Sequence, residues 1–148
     1  MGVNIVRETI KDDIPTIAFN LREADKAEIY ASTGNRLYYA TLLKSFELSE
    51  KCYTWTINDK PTMVLGVCEG GVVWAMGTDD MLNEKAYFLK EAGKYIKDFL
   101  EGYDKIYNYV YTKNVVHINW LRRVGFDFAK EPVTLKNGEK FIYFSMEE

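Results

Sequence analysis

Histidine occurs once and cysteine twice in this chain of 148 residues. That is too few for a zinc site with the usual four Cys and His ligands. No apolar run approaches the roughly 20 residues that a bilayer-spanning helix needs. Residues 1–12 alternate polar and apolar side chains and lack the apolar stretch of an export signal, so a cytoplasm is the expected compartment. Surplus positive charge is missing as well. The net charge is −3, whereas a nucleic-acid-binding domain normally carries a basic face. Arg122 and Arg123, with Lys113 nearby, make too small a basic spot to change that expectation. The chain is therefore expected to bind no metal, no membrane and no nucleic acid. With no repeat, low-complexity segment or linker, residues 1–148 are expected to form one domain.

Cys52 and Cys68 would lie nearly opposite one another if residues 58–61 form a hairpin turn. A cross-strand disulfide fits that geometry. A reducing cytoplasm favours two free, half-buried thiols instead.

Aromatic side chains are plentiful, at 15% of residues with 11 Tyr and 8 Phe. They give a small chain bulky material for a core. Residues 3–9 alternate like a strand. Asp12 and Asp13 before Ile14-Pro15 open a helix expected to run to about residue 32, stopped by Gly34. Asn35 opens a second helix with Leu37, Tyr38, Thr41, Leu42 and Phe46 facing inward. Strands follow over residues 52–57 and 62–68, then a short apolar one over 72–76. Thr78-Asp79-Asp80 is expected to cap a long helix whose stripe is Phe88, Leu89, Ala92, Tyr95, Ile96, Phe99 and Leu100. A strand over 106–111, a helix over 114–124 stopped by Gly125, a strand from Phe126 and a closing strand over 140–146 complete the chain.

The order is β-α-α-β-β-β-α-β-α-β-β. It predicts an α/β fold with a mixed central sheet flanked by about four helices. This is the order of the GNAT (acyl-CoA N-acyltransferase) fold, and residues 114–126 resemble that superfamily's late motif. There Asn114 would cap a helix, Trp120 and Leu121 would bury, Gly125 would turn the chain and Phe126 would re-enter the core. More narrowly, the chain resembles a family of small phage proteins that includes the internal virion protein A of short-tailed phages. That resemblance rests on the Asn-Leu-Arg-x-x-Asp-x-x-Glu run from Asn20 to Glu28, on Trp74 followed by Thr78, and on Asn108 through His117-Ile118 and Trp120-Leu121 to Phe126. It implies a phage source. It also implies the host cytoplasm as the compartment, with packaging into the virion as the other outcome.

The fold resemblance implies three needs for acetyl transfer: a pyrophosphate cradle, a general base and a general acid. The cradle position, residues 76–82, holds one glycine and two aspartates, whose charge is of the wrong sign for phosphate. If a cofactor did bind, Met76, Thr78 and Asn114 would be its contacts. The strand before the cradle carries no base, and Glu69 is the nearest carboxylate. Leu121 stands where a proton donor would be expected, leaving Tyr109 and Tyr111 as substitutes. His117 shares a helix face with Trp120, Leu121 and Val124 and so points inward, as a core residue or a catalyst. Arg22, Asp25 and Glu28, spaced three apart, line either a substrate cleft or an ordinary helix surface. Trp55 and Trp74 belong either to that cleft or to the core.

The expected function is that of a catalytically degenerate GNAT-fold phage protein. It would act through protein contacts in virion assembly or as a host-directed factor, with no cofactor. The alternative is an N-acetyltransferase using acetyl-CoA in an atypical site, and the third reading is a small-molecule-binding module.

Overall fold

The computed structural model describes residues 4–148. The first strand, β1, spans Ile5–Glu8. Residue 3, where the sequence places its start, lies outside the described residues.

The single helix expected over residues 14–32 is two: α1 (Asp13–Phe19) and α2 (Glu23–Thr33). Tertiary pairing breaks it. Leu21 forms an isolated bridge with Thr78, and the Arg22 N–H donates to the Gly77 carbonyl at 3.0 Å. An unbroken helix would have kept both residues' backbone groups inside its own ladder. Gly34 ends α2 in the left-handed region, as the stop signal implies. α3 (Tyr38–Leu48) buries Leu42, but Leu37, expected in its inward stripe, falls before the helix and is 63% exposed.

β2 (Ser49–Ile57) and β3 (Lys60–Cys68) form a hairpin. Its turn is tighter than expected. Only Asn58 and Asp59 are in it, with φ of 53° and 66°, as a two-residue type I′ turn requires. Pro61 sits opposite Thr56, next to the register shift between Trp55 and Thr56, a place where a strand tolerates proline. Cys52 pairs with Gly66 and Cys68 with Ser49, and both thiols are free.

A short 3-10 turn leads into β4 (Val72–Gly77). The segment Asp79–Glu84 is also 3-10, and only then does α4 (Lys85–Gly102) begin. The expected aspartate cap is therefore not at the start of the long helix. α4 buries Phe88, Ala92, Ile96, Phe99 and Leu100, a stripe at helical spacing. β5 (Lys105–Tyr111), α5 (Val115–Val124), two short strands β6 (Asp127–Phe128) and β7 (Val133–Thr134), and β8 (Lys140–Glu147) complete the chain.

The sheet order is β1-β2-β3-β4-β5-β8-β6, with β7 also on β8. Among the described residues, every pairing is antiparallel except β4 with β5. Helices α1–α3 pack on one face through Ile14, Ile17, Ile29 and Leu42. α4 and α5 pack on the other, over Trp55, Leu65, Val73 and Ile106.

The parallel pair governs the site. β4 and β5 meet only at Val72 and Tyr107, then part. Gly71 pins the closed end. A Cβ there would lie 2.3 Å from the Lys105 carbonyl oxygen, and its φ is +91°, so only glycine permits this approach. The other end opens beneath the start of α5.

Candidate functional site

Two parting strands leave backbone groups without ladder partners, and buried ones must find others. By the two-residue period, the odd-numbered residues of β4 and β5 turn those groups into the gap. The chain's own side chains meet four of them. Asn108 Nδ2 donates to the Val73 carbonyl at 2.8 Å, and its Oδ1 accepts from the Tyr109 N–H at 2.7 Å. Asp25 Oδ2 accepts from the Gly77 N–H at 3.1 Å. Glu28 Oε1 accepts from the Tyr111 N–H at 2.9 Å. Asp25 and Glu28 lie on successive turns of α2, so this helix ties together the open ends of both strands.

The rest of the network is as tightly bound. Asp25 Oδ1 accepts from Arg22 at 3.2 Å and from Asn114 Nδ2 at 3.0 Å. Arg22 also donates to Asn114 Oδ1 at 3.2 Å. Asn114 Nδ2 lies 3.4 Å from Glu28. Arg22, Asp25 and Asn114 are at most 5% exposed. Burial pushes the Glu28 carboxyl up to about 7, against the Tyr111 N–H that favours its ionised form.

The spacing of Arg22, Asp25 and Glu28 thus marks no ordinary surface pair, and Arg22 and Asp25 also help line the cavity between β4, α4 and α5 described below. These residues form a buried clamp. Asn114 belongs to it, and its side chain caps no helix. Sequence reasoning missed Asn108 as a strand bridge. Its only signal was a lone amide among the aromatics of β5.

The remaining candidates scatter. Glu69 is exposed in the turn at the closed end of β4, on the order of 20 Å along the strand from Gly77. It cannot serve as a base there. Trp55 is fully buried against Phe88 and Tyr95 under α4, in the core and not in a cleft. Trp74 faces the α1–α3 layer, and its Nε1 donates to Ser49 at 2.8 Å. The Tyr111 hydroxyl donates to Glu139, which holds its pKa up at about 12 and makes it a poor acid. Tyr109 borders the gap, but its ring meets Tyr143 edge-on at 5.3 Å. Thr78 donates from its hydroxyl (3.1 Å) and its N–H (2.9 Å) to the Thr62 carbonyl, so it offers no donor to a phosphate.

His117 does face inward. Its Nδ1 is shielded and has no partner among the described residues, and burial pushes its pKa below the ordinary histidine value. Leu121 is buried, as its position on the stripe requires. His117 helps line a cavity of about 200 Å³ between β4, the 3-10 segment, α4 and α5, together with Met76, Met81, Lys85, Phe88 and Trp120.

The cofactor implied by the fold does not fit what surrounds this cavity. The helix N-terminus that would hold a pyrophosphate is displaced into the 3-10 segment, where Asp79 and Asp80 are exposed and Asp80 pairs with Lys60 at 3.4 Å. The Gly77 amide beside it is already taken by a carboxylate.

The fold has close counterparts among solved acetyltransferases. AAC(6')-Ib, in complex with ribostamycin and coenzyme A, superposes with a TM-score of 0.68 at 15% identity, over 98% of this chain and 93% of that one. The ribosomal-protein-S18-alanine N-acetyltransferase of Escherichia coli gives 0.66 at 13%, over 98% and 94%. The GNAT-family acetyltransferase of Streptococcus pneumoniae gives 0.63 at 13%, over 98% and 99%. At such identities the likeness establishes the GNAT fold and nothing finer. By sequence the chain is similar to the probable scaffold protein gp13 of Escherichia phage T7. The two are 33% identical over 91 residues, which is 59% of this chain and 65% of that protein. The match therefore spans just under two thirds of the relative's length. Residues 51–133 match the family described as "Bacteriophage T7, probable scaffold protein Gp13". With more than half its length inside that match, this chain belongs to the phage T7 Gp13 probable scaffold protein family, built on a GNAT fold.

Proposed function

We propose that this protein works in phage assembly through contacts with other proteins, and that its acetyltransferase fold performs no acyl transfer. The observation that carries this reading is the clamp across the β4–β5 gap. Asp25 and Glu28 occupy strand amides at the mouth of the gap, and Asn108 bridges the strands deeper in. A ligand threading between the strands would have to displace these hydrogen bonds, worth about 0.5–1.5 kcal/mol each where both partners are neutral and about 1.5–3 kcal/mol where a carboxylate accepts. The two aspartates before α4 add to that cost. Leu121 carries no proton donor, and the Tyr111 hydroxyl is tied to Glu139. The scaffold description of the family supports assembly over a role directed at a host protein, which is the other class of partner such a surface could serve.

Thermal melting with coenzyme A and with acetyl-CoA tests the absence of transfer. A ligand at a hundred times its dissociation constant stabilises by about 2.7 kcal/mol, a shift of several degrees. Neither compound is expected to shift the transition, and a clear shift with either would sink the non-catalytic reading. Assembly is tested separately by removing the gene from a phage that carries it. Fewer mature particles are expected, at unchanged levels of capsid protein.

A second reading rests on the cavity of about 200 Å³, which has the exposed cations Lys85 and Arg123 among its lining residues. It suits a small amphipathic anion. Melting against a panel of aryl and short acyl carboxylates tests it, with an upward shift as the expected sign of binding.

A further inference from the structure

Apart from the end at Tyr111 and Phe141, β5, β8 and β6 carry helices on one face only among the described residues. Their registers place three rows of side chains on the opposite face. Lys105 stands beside Glu147, Tyr107 beside Ser145 with Asp127 beyond it, and Tyr109 beside Tyr143. Helices α1–α3 cover β2–β4 on this face and reach the end of β5 at Tyr111, which packs with Ala31 and Phe141. Among the described residues, Tyr107, Tyr109 and Tyr143 belong to none of the apolar cores. They pack instead on each other. The Tyr143 ring centroid lies 6.0 Å from Tyr107 and 5.3 Å from Tyr109. Tyr109 is 46% exposed. Two tyrosines two residues apart on β5, with a third opposite Tyr109 on β8, make a packed, half-exposed aromatic surface, the kind that protein interfaces favour.

Its charge selects the partner. Glu147 and Asp127 flank the rings, and Asp104 and Glu148 stand at the same end. None of the four has an ion pair among the described residues. The one cation within the rows is Lys105, and its ammonium already sits 5.6 Å from the Tyr107 and Tyr143 ring centroids. Tyrosine faces attract guanidinium and ammonium groups, and a carboxylate rim attracts the same groups. The rim would repel a nucleic-acid backbone. In a two-fold contact between copies it would set carboxylates against carboxylates.

We propose that this face docks a cationic segment of a different protein, with arginine or lysine side chains stacked on Tyr107, Tyr109 and Tyr143 and held by Asp127 and Glu147. The partner's being a protein rests on the assembly reading above; its chemistry comes from the face itself.

Photo-crosslinking in infected cells tests the proposal on the full chain. The crosslinker p-benzoylphenylalanine replaces Tyr109 in one variant and Phe19, 76% exposed on α1, in another. The Tyr109 variant is expected to crosslink a second protein at a peptide rich in Arg or Lys. The double reversal D127K with E147K is expected to cut the yield at least tenfold at an unchanged melting temperature, since both sites are exposed. Crosslinks from position 19 without any from position 109 would overturn the docking face and leave the assembly reading standing. A position-109 crosslink to nucleic acid, to a second copy or to an acidic peptide would overturn it too. So would insensitivity to the charge reversal. Silence at both positions also overturns the docking face, and the assembly reading falls with it only if gene removal leaves particle yield unchanged.

Discussion

Glu28→Gln isolates the electrostatic cost of the clamp. In the folded chain the Glu28 carboxyl titrates at about 7, against 4.5 for an unperturbed glutamate, chiefly because it is buried. The folded state therefore holds this proton more tightly than the unfolded state does. The sign follows from linkage: stability is at its fullest below pH 4.5, falls as the pH rises, and levels off above 7. At 1.36 kcal/mol per unit the gap amounts to about 3 kcal/mol as a ceiling, and residual solvent contact brings it to about 1–3 kcal/mol. Glutamine keeps an oxygen for the Tyr111 N–H and carries no charge to desolvate. Urea unfolding of both proteins at pH 4.5, 6, 7 and 8 reads the effect. The variant should match the wild type within about 0.5 kcal/mol at pH 4.5 and exceed it by about 1–3 kcal/mol at pH 8. Buried His117, whose pKa is depressed, weakens both proteins alike as the pH falls through its range, so its contribution cancels in the difference. A difference that stays flat from pH 4.5 to 8, or a variant less stable at pH 8, would refute this account of the clamp.

Other substitutions probe the same architecture. Asn114→Ala removes the amide that joins Arg22, Asp25 and Glu28 and leaves buried charge under-paired, so a loss of about 2–4 kcal/mol is expected in urea unfolding. Gly66→Ala places a Cβ 2.5 Å from Trp74 Nε1 and 2.8 Å from Ser49 Oγ. It should break their hydrogen bond, shift tryptophan emission, and cost about 1–3 kcal/mol.

Much of the fold was legible because its signals are local. The α4 stripe, the Gly34 and Gly125 stops and the strand–helix–strand close of the chain all follow from spacing and turn chemistry. The break at Leu21 was not legible. It depends on a bridge to Thr78, which is 57 positions away in sequence. The start of α4 was misplaced for a related reason. Thr78 and the two aspartates make a sound cap on paper, but Thr78 is bonded to Thr62 and the chain runs on as 3-10. Among the site candidates, Arg22, Asp25, Glu28 and Asn114 converge, while Glu69, Trp55 and the Tyr111 hydroxyl go elsewhere. The tyrosines of β5 alternate along the strand. Their period correctly put them on one face, but periodicity cannot say whether a helix covers that face.

Sequence by itself determined most of the element types, the α4 stripe and the helix stops, because each depends on residues within a few positions of one another. Only the tertiary structure decided that α2 reaches across the β4–β5 gap. A carboxylate three residues from another can face water or cap a strand end, and burial against Gly77 and Tyr111 settles which. The same holds for the bare tyrosine face, which exists because three helices on that side cover one half of the sheet and stop.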